Sequence, residues 1–489
     1  MIYIGMNKKT WNKHKRFHTK LCDDKMSFEE CELAILRNAV DETEKLQGKK
    51  IANSEEIKKI ISILENFLVH KKLICYGGTA INNILPKYAQ FYDRDIEIPD
   101  YDFYSSNALD DAKQLADIYN KEGYLEVEAK AGVHKGTYKV FVNFIPVADI
   151  TELPKPLFFG LSKETIIIAG IHYAPANFLR MNMYLELSRP AGDVSRWEKV
   201  LKRLTLLNKF YPLKPEKDCS AELFQRNMET HQEDSERLYY AVRNSFIDQS
   251  VIFFGGYATT LYSKYMEEDR QKLVKKIPDF DVISDEPDKC ALIVKENLIR
   301  ERFRNIKIIN HKPLGEIIPE HVEIRVGGET LAFIYKPIAC HSYNTIVIDE
   351  KEINVATIDT ILTFYLAFIY TNLPYYNKNR LLCMANFLFD VEQKNRLEQK
   401  GLLKRFSINC YGKQMTMEEI RAEKAKKYEE LMHDRTSREY EEWFLKYNPA
   451  QKTTERKPKT ARQTVKEQPK HNRTIKRSLK PKKESEFLI

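Results

Sequence analysis

Three aspartates and a Gly-Gly-Thr turn are the residues here whose types and spacing could do chemistry. Asp100 and Asp102 stand two apart in Pro99-Asp100-Tyr101-Asp102-Phe103. Alternate residues of a strand share a face, about 6.5–7 Å apart, so two carboxylates lie side by side. Asp149 closes Ile145-Pro146-Val147-Ala148-Asp149 and is expected at the end of a separate strand. Pairing that strand with the first brings a third carboxylate to the same face. Three clustered carboxylates repel one another unless cations lie between them. An all-oxygen donor set favours Mg²⁺ or Mn²⁺. Two such ions ~3.5–4 Å apart clamp the attacking and leaving oxygens of a phosphoryl displacement. In that arrangement Asp102 bridges both ions and Asp100 shares them. Asp149 holds the ion that activates the incoming hydroxyl.

Gly77-Gly78-Thr79 follows a short apolar run, Leu73 to Tyr76. It reads as the point where a strand turns into a helix. Absent side chains let a phosphate approach the backbone, and the helix start supplies N–H donors. Thr79 adds a hydroxyl contact. A Gly-Gly pair alone is usually a tight turn, and Asp-x-Asp alone a solvated strand end. Here they occur together, in order, and twice. The second copy runs Phe253-Phe254-Gly255-Gly256, then Pro278-Asp279-Phe280-Asp281, then Lys336-Pro337-Ile338-Ala339-Cys340-His341. Cys340 stands in the slot expected for a third acid. A soft Cys and a neutral His341 suit Mg²⁺ poorly, so the second copy is expected to be inactive.

The elements that position these residues follow from pattern. Ser27-Phe28-Glu29-Glu30 has the form of a capping box and opens a helix to about Leu46. Asn53-Ser54-Glu55-Glu56 opens a second, with Ile57, Ile60, Ile61, Leu64 and Leu68 at helical spacing. Strands are predicted at 73–76, 100–104 and 138–145, with a helix over 108–120. The segment from Ala174 to Tyr211 reads as helical, broken near Pro190-Ala191-Gly192. Ser235 to Phe246 is a helix leading into the strand 251–254, and Tyr173-Ala174-Pro175 matches Val355-Ala356-Thr357. Met417 to Trp443 reads as one charged helix. The fold class is α+β, with two tandem copies of one unit on small mixed sheets. The expected divisions are an N-terminal helical region (1–52), a first copy (53–215), a second (216–415), a C-terminal helix (416–449) and a basic tail (450–489).

The chain has 489 residues and a net charge of +9. The segment 450–489 holds 13 Lys or Arg against 4 Glu, so the whole excess lies there and the body is balanced. With Pro458, Pro469, Pro481 and few apolar residues, that tail cannot fold alone. It is either a solubilising terminus or an electrostatic arm for a polyanion, most simply RNA. No apolar run approaches the ~18 residues of a membrane helix; 361–370 suits a buried helix. Lys8, Lys9, Lys13 and Lys15 are not followed by an apolar stretch, so no secretory signal is expected. Eight scattered cysteines without a CxxC pair predict reduced thiols in a cytosolic setting, with neither zinc site nor disulfide frame.

Gly-Gly-Thr, Asp-Tyr-Asp and a third Asp on a later strand resemble the polymerase-β-like nucleotidyltransferase superfamily. The Pro-Asp-Tyr-Asp-Phe form and the decayed second copy look most like poly(A) polymerase catalytic subunits of poxviruses and other large DNA viruses, over roughly 51–411. The resemblance implies template-independent addition of adenylate from ATP to RNA 3′ ends, with Mg²⁺ or Mn²⁺. Thr79 stands where many members have Ser. Lys199, Lys202 and Arg203 lie where related enzymes place a base for the triphosphate. A surface helix explains them nearly as well. Lys272, Lys275 and Lys276 could contact phosphates from the second copy, as one wall of an RNA groove. His134 and His172 are read as structural. The resemblance also implies action in the cytoplasmic viral factory, packaging in the virion, and a homo-oligomer or protein processivity partner. Two alternatives remain. The same site could make oligoadenylate or a cyclic dinucleotide, or the chain could be a noncatalytic RNA-binding scaffold.

Overall fold

The computed structural model describes residues 19–23, 25–220, 235–274 and 277–450. Lys8, Lys9, Lys13, Lys15, Lys275, Lys276 and the basic tail beyond Ala450 lie outside them.

Two eight-stranded sheets carry the fold, each with seven strands that correspond between the sheets and one edge strand outside that correspondence, Cys410–Tyr411 in the second. The first contains β1 (Ile74–Tyr76), β2 (Tyr101–Ser105), β3 (Val127–Ala131), β4 (Thr137–Val142), β5 (Ile145–Glu152), β6 (Ile166–Ile168) and β7 (Ile171–Tyr173). Their order is β3-β4-β5-β2-β1-β7-β6. The second contains β8 (Ile252–Phe253), β9 (Phe280–Ile283), β10 (Ile306–His311), β11 (His321–Val326), β12 (Glu329–Tyr335), β13 (His341–Ile348) and β14 (Lys351–Ala356). Their order, β10-β11-β12-β9-β8-β14-β13, repeats the first strand for strand. Parallel pairs recur too: β2 with β5 and β1 with β7, then β9 with β12 and β8 with β14. Cys75 is opposite Tyr173 and Phe253 opposite Val355, so the repeat runs past the acids in the register expected from sequence.

Local signals place the elements. Ser27 and Glu30 form the reciprocal capping box, and the helix they open runs to Ala52, past the expected end. Ser54 caps the helix Glu55–Lys71, whose Ile57, Ile60, Leu64, Phe67 and Leu68 are buried. Lys72, with φ of 54°, turns the chain out of that helix toward β1. The run 138–145 is not one strand. Asn143 and Phe144 both take positive φ and make a two-residue hairpin turn between β4 and β5. Asp149 therefore lies inside β5 rather than at a strand end. The helices Ala176–Leu187 and Trp197–Phe210 flank the Pro190-Gly192 break.

The two copies join through one helix of each. Ala176–Leu187 packs against Ile358–Phe368, every residue of which is buried. Gly160, on the helix Lys155–Ser162, meets the second copy so closely that a Cβ there would collide with Tyr370 O. Arg405 ties the second copy together. Its guanidinium donates to both Asp359 oxygens at 2.9–3.0 Å and lies 3.2 Å from Glu392, all three buried.

Two expectations fail here. The charged stretch 417–443 is two helices, Met417–Leu431 and Arg438–Phe444, separated by a turn in which Asp434 binds Thr436 and Ser437 caps the second. The chain then adds a strand, Lys446–Tyr447, to the outer edge of β3. The thiols are also not all reduced. Cys22–Cys31, Cys219–Cys383 and Cys340–Cys410 are disulfides, leaving Cys75 and Cys290 free and buried. Their separations of 9, 164 and 70 residues are brought together only by folding, so a search for CxxC cannot see them.

Candidate active site

One rung of the first sheet assembles the site. Tyr76 lies opposite Asp102 in the β1–β2 pair, Asp102 opposite Asp149 in β2–β5, and Asp149 opposite Lys139 in β5–β4. Neighbours on a rung share a face, so the sheet sets Asp102 and Asp149 side by side. Asp100 immediately precedes β2. It is anchored from below by Thr79, whose buried hydroxyl donates to the Asp100 carbonyl at 2.6 Å. Thr79 is thus a strut for the Asp-x-Asp segment, and its proton is already committed there.

Gly77 needs to be glycine on two counts. Its φ is +73°, and a Cβ would run into Asp102 Oδ2. Backbone therefore lies directly on the middle carboxylate. A Cβ on Gly78 would instead come within 2.8 Å of Tyr92 Oη and 3.0 Å of both terminal Arg203 nitrogens. Arg203 donates to Tyr92 Oη and stacks over Phe91 and Tyr92, 5.1 and 5.5 Å from the ring centres. Thr79, Asn82, Asn83, Tyr92 and Arg94 line a cavity of about 160 Å³ that reaches Asp100.

The rung concentrates negative charge. Burial, then repulsion from Asp100 and Asp149, pushes the Asp102 carboxyl up to about 7. Burial and Asp149 also raise Asp100, while Lys139 and Lys199 pull it back. Exposed Lys199 therefore bears on Asp100. Lys202 does not: its ammonium lies 2.5 Å from Glu198 on its own exposed helix face. Arg196 eases Asp102 from a distance and pairs with Glu186 at 3.1 Å. Among the described residues no three His, Cys, Asp or Glu side chains close on one point. Asp149 is instead turned to the Lys139 ammonium, with which it forms an ion pair. His134 is exposed, and His172 bonds Thr165 on the β6–β7 hairpin at 2.9 Å.

Sequence reasoning missed Lys139 and Tyr92. A period-two strand pattern contains the signal for Lys139, but only the pairing register shows which acid it meets.

The second copy keeps the turn and two acids. Gly255 has φ of +45° and packs on Asp281, and Gly256 on Asp279. Its third slot is not Cys340. In the β9–β12 pair Asp281 lies opposite Phe333, so a phenyl ring replaces the third carboxylate. Cys340 comes after β12, in the disulfide to Cys410. The matching Pro-x-Ala letters mislead because Pro146 is inside β5, whereas Pro337 follows the end of β12. Tyr365, Phe368, Tyr376 and Arg380 fill the space beside Asp279 and Asp281, leaving only about 10 Å³. His341 is buried with neither ring nitrogen hydrogen-bonded, and burial pushes its pKa down to about 3.

Residues 62–193 match the family described as "Poly(A) polymerase catalytic subunit". Two viral proteins named "Putative poly(A) polymerase catalytic subunit" are similar to this chain. The one from Acanthamoeba polyphaga mimivirus is 35% identical over 165 residues, 32% of this chain and 27% of the mimivirus protein. The one from African swine fever virus (strain Badajoz 1971 Vero-adapted) is 32% identical over 171 residues, 34% of this chain and 36% of that protein. The chain thus spans about a third of the length of the curated relatives it matches. The crystal structure of the Megavirus polyadenylate synthase superposes with a TM-score of 0.74 at 21% identity, covering 90% of this chain and 89% of that one. The chain accordingly shares the fold of that synthase.

Proposed function

We propose that this chain is a template-independent polymerase that adds adenylate from ATP to RNA 3′ ends. The observation that carries the reading is the rung Asp102–Asp149 with the Gly77 backbone laid on Asp102. The likeness of residues 62–193 to viral poly(A) polymerase catalytic subunits supports adenylate as the unit added.

The donor set fits Mg²⁺ or Mn²⁺. It is all oxygen, and its middle carboxyl is raised first by burial and then by the two acids beside it, a load that a bound cation would relieve. Asp100, Asp102 and Asp149 are the residues that would hold the ions. When bound, the ions would supply charge neutralisation and an activated 3′ hydroxyl. The chain's own groups do the rest. The Gly77-Gly78 backbone and the helix it opens receive the triphosphate, where any side chain would block approach. Arg203, held over Phe91 and Tyr92, offers a fixed guanidinium at Gly78. Lys199 adds charge beside Asp100. The strut from Thr79 keeps Asp100 and Asp102 from relaxing apart. The second copy, with Phe333 in its rung, contributes scaffold and a wall for the RNA.

The test is extension of a labelled RNA primer with each nucleoside triphosphate alone, in Mg²⁺ or Mn²⁺. A long ladder with ATP only is expected. Short or cyclic products made without primer would replace this reading with a small-oligonucleotide synthase. No product with any nucleotide would leave a binding scaffold. Removing the tail beyond Ala450 should weaken primer binding and flatten its salt dependence if that segment is an RNA arm.

A further inference from the structure

The third carboxylate already has a cation of its own. Lys139 projects from β4 directly opposite Asp149 and pairs with its carboxylate. The pair is not sealed in. The Lys139 side chain is 38% exposed and that of Asp149 22%, so the ammonium can leave without unfolding anything.

The second copy supplies an internal control. In the first, the β4–β5 register shifts just after Lys139, between Val140 and Phe141; in the second, β11–β12 shifts just after Glu323, between Ile324 and Arg325. The same irregularity at the same place fixes Glu323 as the counterpart of Lys139. Glu323 lies opposite Phe333, which lies opposite Asp281. The active rung therefore reads Lys139–Asp149–Asp102, and the inactive one Glu323–Phe333–Asp281. Where the third carboxylate has become a phenyl ring, the lysine has become a glutamate. That glutamate is fully buried and bonded to His311, Arg325 and Thr330, with no part in the acids' chemistry. A lysine kept only to shape the sheet would have no reason to vanish with the acid it faces.

We propose that Lys139 is a resident counter-ion: it neutralises Asp149 in the metal-free enzyme and competes with the divalent cation for that carboxylate. This rests on the metal-dependent reading above. Two roles follow from one charge. The ammonium spares the folded site the repulsion of three bare carboxylates. It also weakens ion binding at Asp149, so that position fills firmly only when substrate adds further negative charge. On displacement, the lysine remains at the rim of the site as a free cation for a phosphate. It is a positioning residue, acting through Asp149.

The test uses the full chain and Mn²⁺ alone, with free ion read by electron paramagnetic resonance. Removing the competing charge in Lys139→Met should tighten the weaker Mn²⁺ site by about tenfold. Lys139→Arg, which keeps the charge, should stay near the parent. In the double variant Lys139→Met, Asp149→Ala the gain should disappear. The Mn²⁺-induced rise in melting temperature should be larger for Lys139→Met than for the parent. Lys139→Gln offers the same readout if the Met variant misfolds. Unchanged or weaker Mn²⁺ binding in a folded Lys139→Met or Lys139→Gln protein would overturn the inference alone. If Asp102→Asn binds Mn²⁺ as the parent does, the carboxylates do not hold the ion, and the metal reading falls together with this one.

Discussion

Asp102 carries the largest electrostatic load of any single residue in the site. Its carboxyl is raised from the ordinary range to about 7 by burial and two neighbouring acids. The folded state thus holds this proton more tightly than the unfolded chain. The stability it lends is fully present below the unfolded value near 4 and is lost as pH rises through about 7. In EDTA, Asp102→Asn should therefore melt above the parent at pH 8, with the gap closing toward pH 4. A parent and variant that melt in parallel across that range would disprove the strain. Gly77→Ala tests the opposite face of the same carboxylate. The strained φ and the contact with Asp102 should displace it, costing primer extension on the order of a hundredfold or more with a much smaller loss of melting temperature. Both residues were legible in the sequence, because Asp-x-Asp and Gly-Gly are local signals. The ion pair that turns Asp149 to Lys139 was not. It depends on which strands are neighbours and in what register, and no stretch of ten letters contains that.

Among the elements, the hairpin of β4 and β5 matters most, since it carries Lys139 out and Asp149 back. It was misread as one strand because Asn143-Phe144 is an uncommon two-residue turn and both flanks alternate well. The same blindness put Cys340 in the third slot. Letter similarity in Pro-x-Ala outran the hydrogen-bond register, which selects Phe333. Asp279→Asn with Asp281→Asn should accordingly leave the single-turnover rate unchanged. A loss comparable to that of Asp149→Ala, in a folded protein, would give the second copy a catalytic role. Helices were easier to place where caps are written in sequence, as at Ser27 and Ser54, and harder where a short turn splits a charged run, as at Asp434. Gly160 is a packing site that no motif announces. Gly160→Ala should cost about 1–3 kcal/mol in chemical denaturation, because the methyl group meets the Tyr370 carbonyl rather than a side chain that can turn away.

At the scale of the whole chain, one fold is written twice, and the copies share a core through the helices Ala176–Leu187 and Ile358–Phe368. Arg405 secures the second copy to its own Asp359 and Glu392. Arg405→Met would leave two buried carboxyls without their cation and should destabilise the protein by about 3–5 kcal/mol. A urea midpoint equal to that of the parent would contradict this. The repeat was legible because its motifs kept their order; the closing strand Lys446–Tyr447 was not, being two residues whose partner lies more than 300 positions earlier. That strand gives the molecule a sense of time. The segment from Arg438 to Tyr447 returns to the first copy, where Glu441 pairs with Lys113, Tyr447 bonds Asp117, and Ala131 donates to the Leu445 carbonyl. During synthesis the sheet that holds the aspartates is thus one strand short until the ribosome has made nearly the whole described chain. A nascent chain that stops before Arg438 presents β3 as a bare edge, open to pairing with another copy. Closure of the sheet that holds the aspartates thereby waits on synthesis past Tyr447.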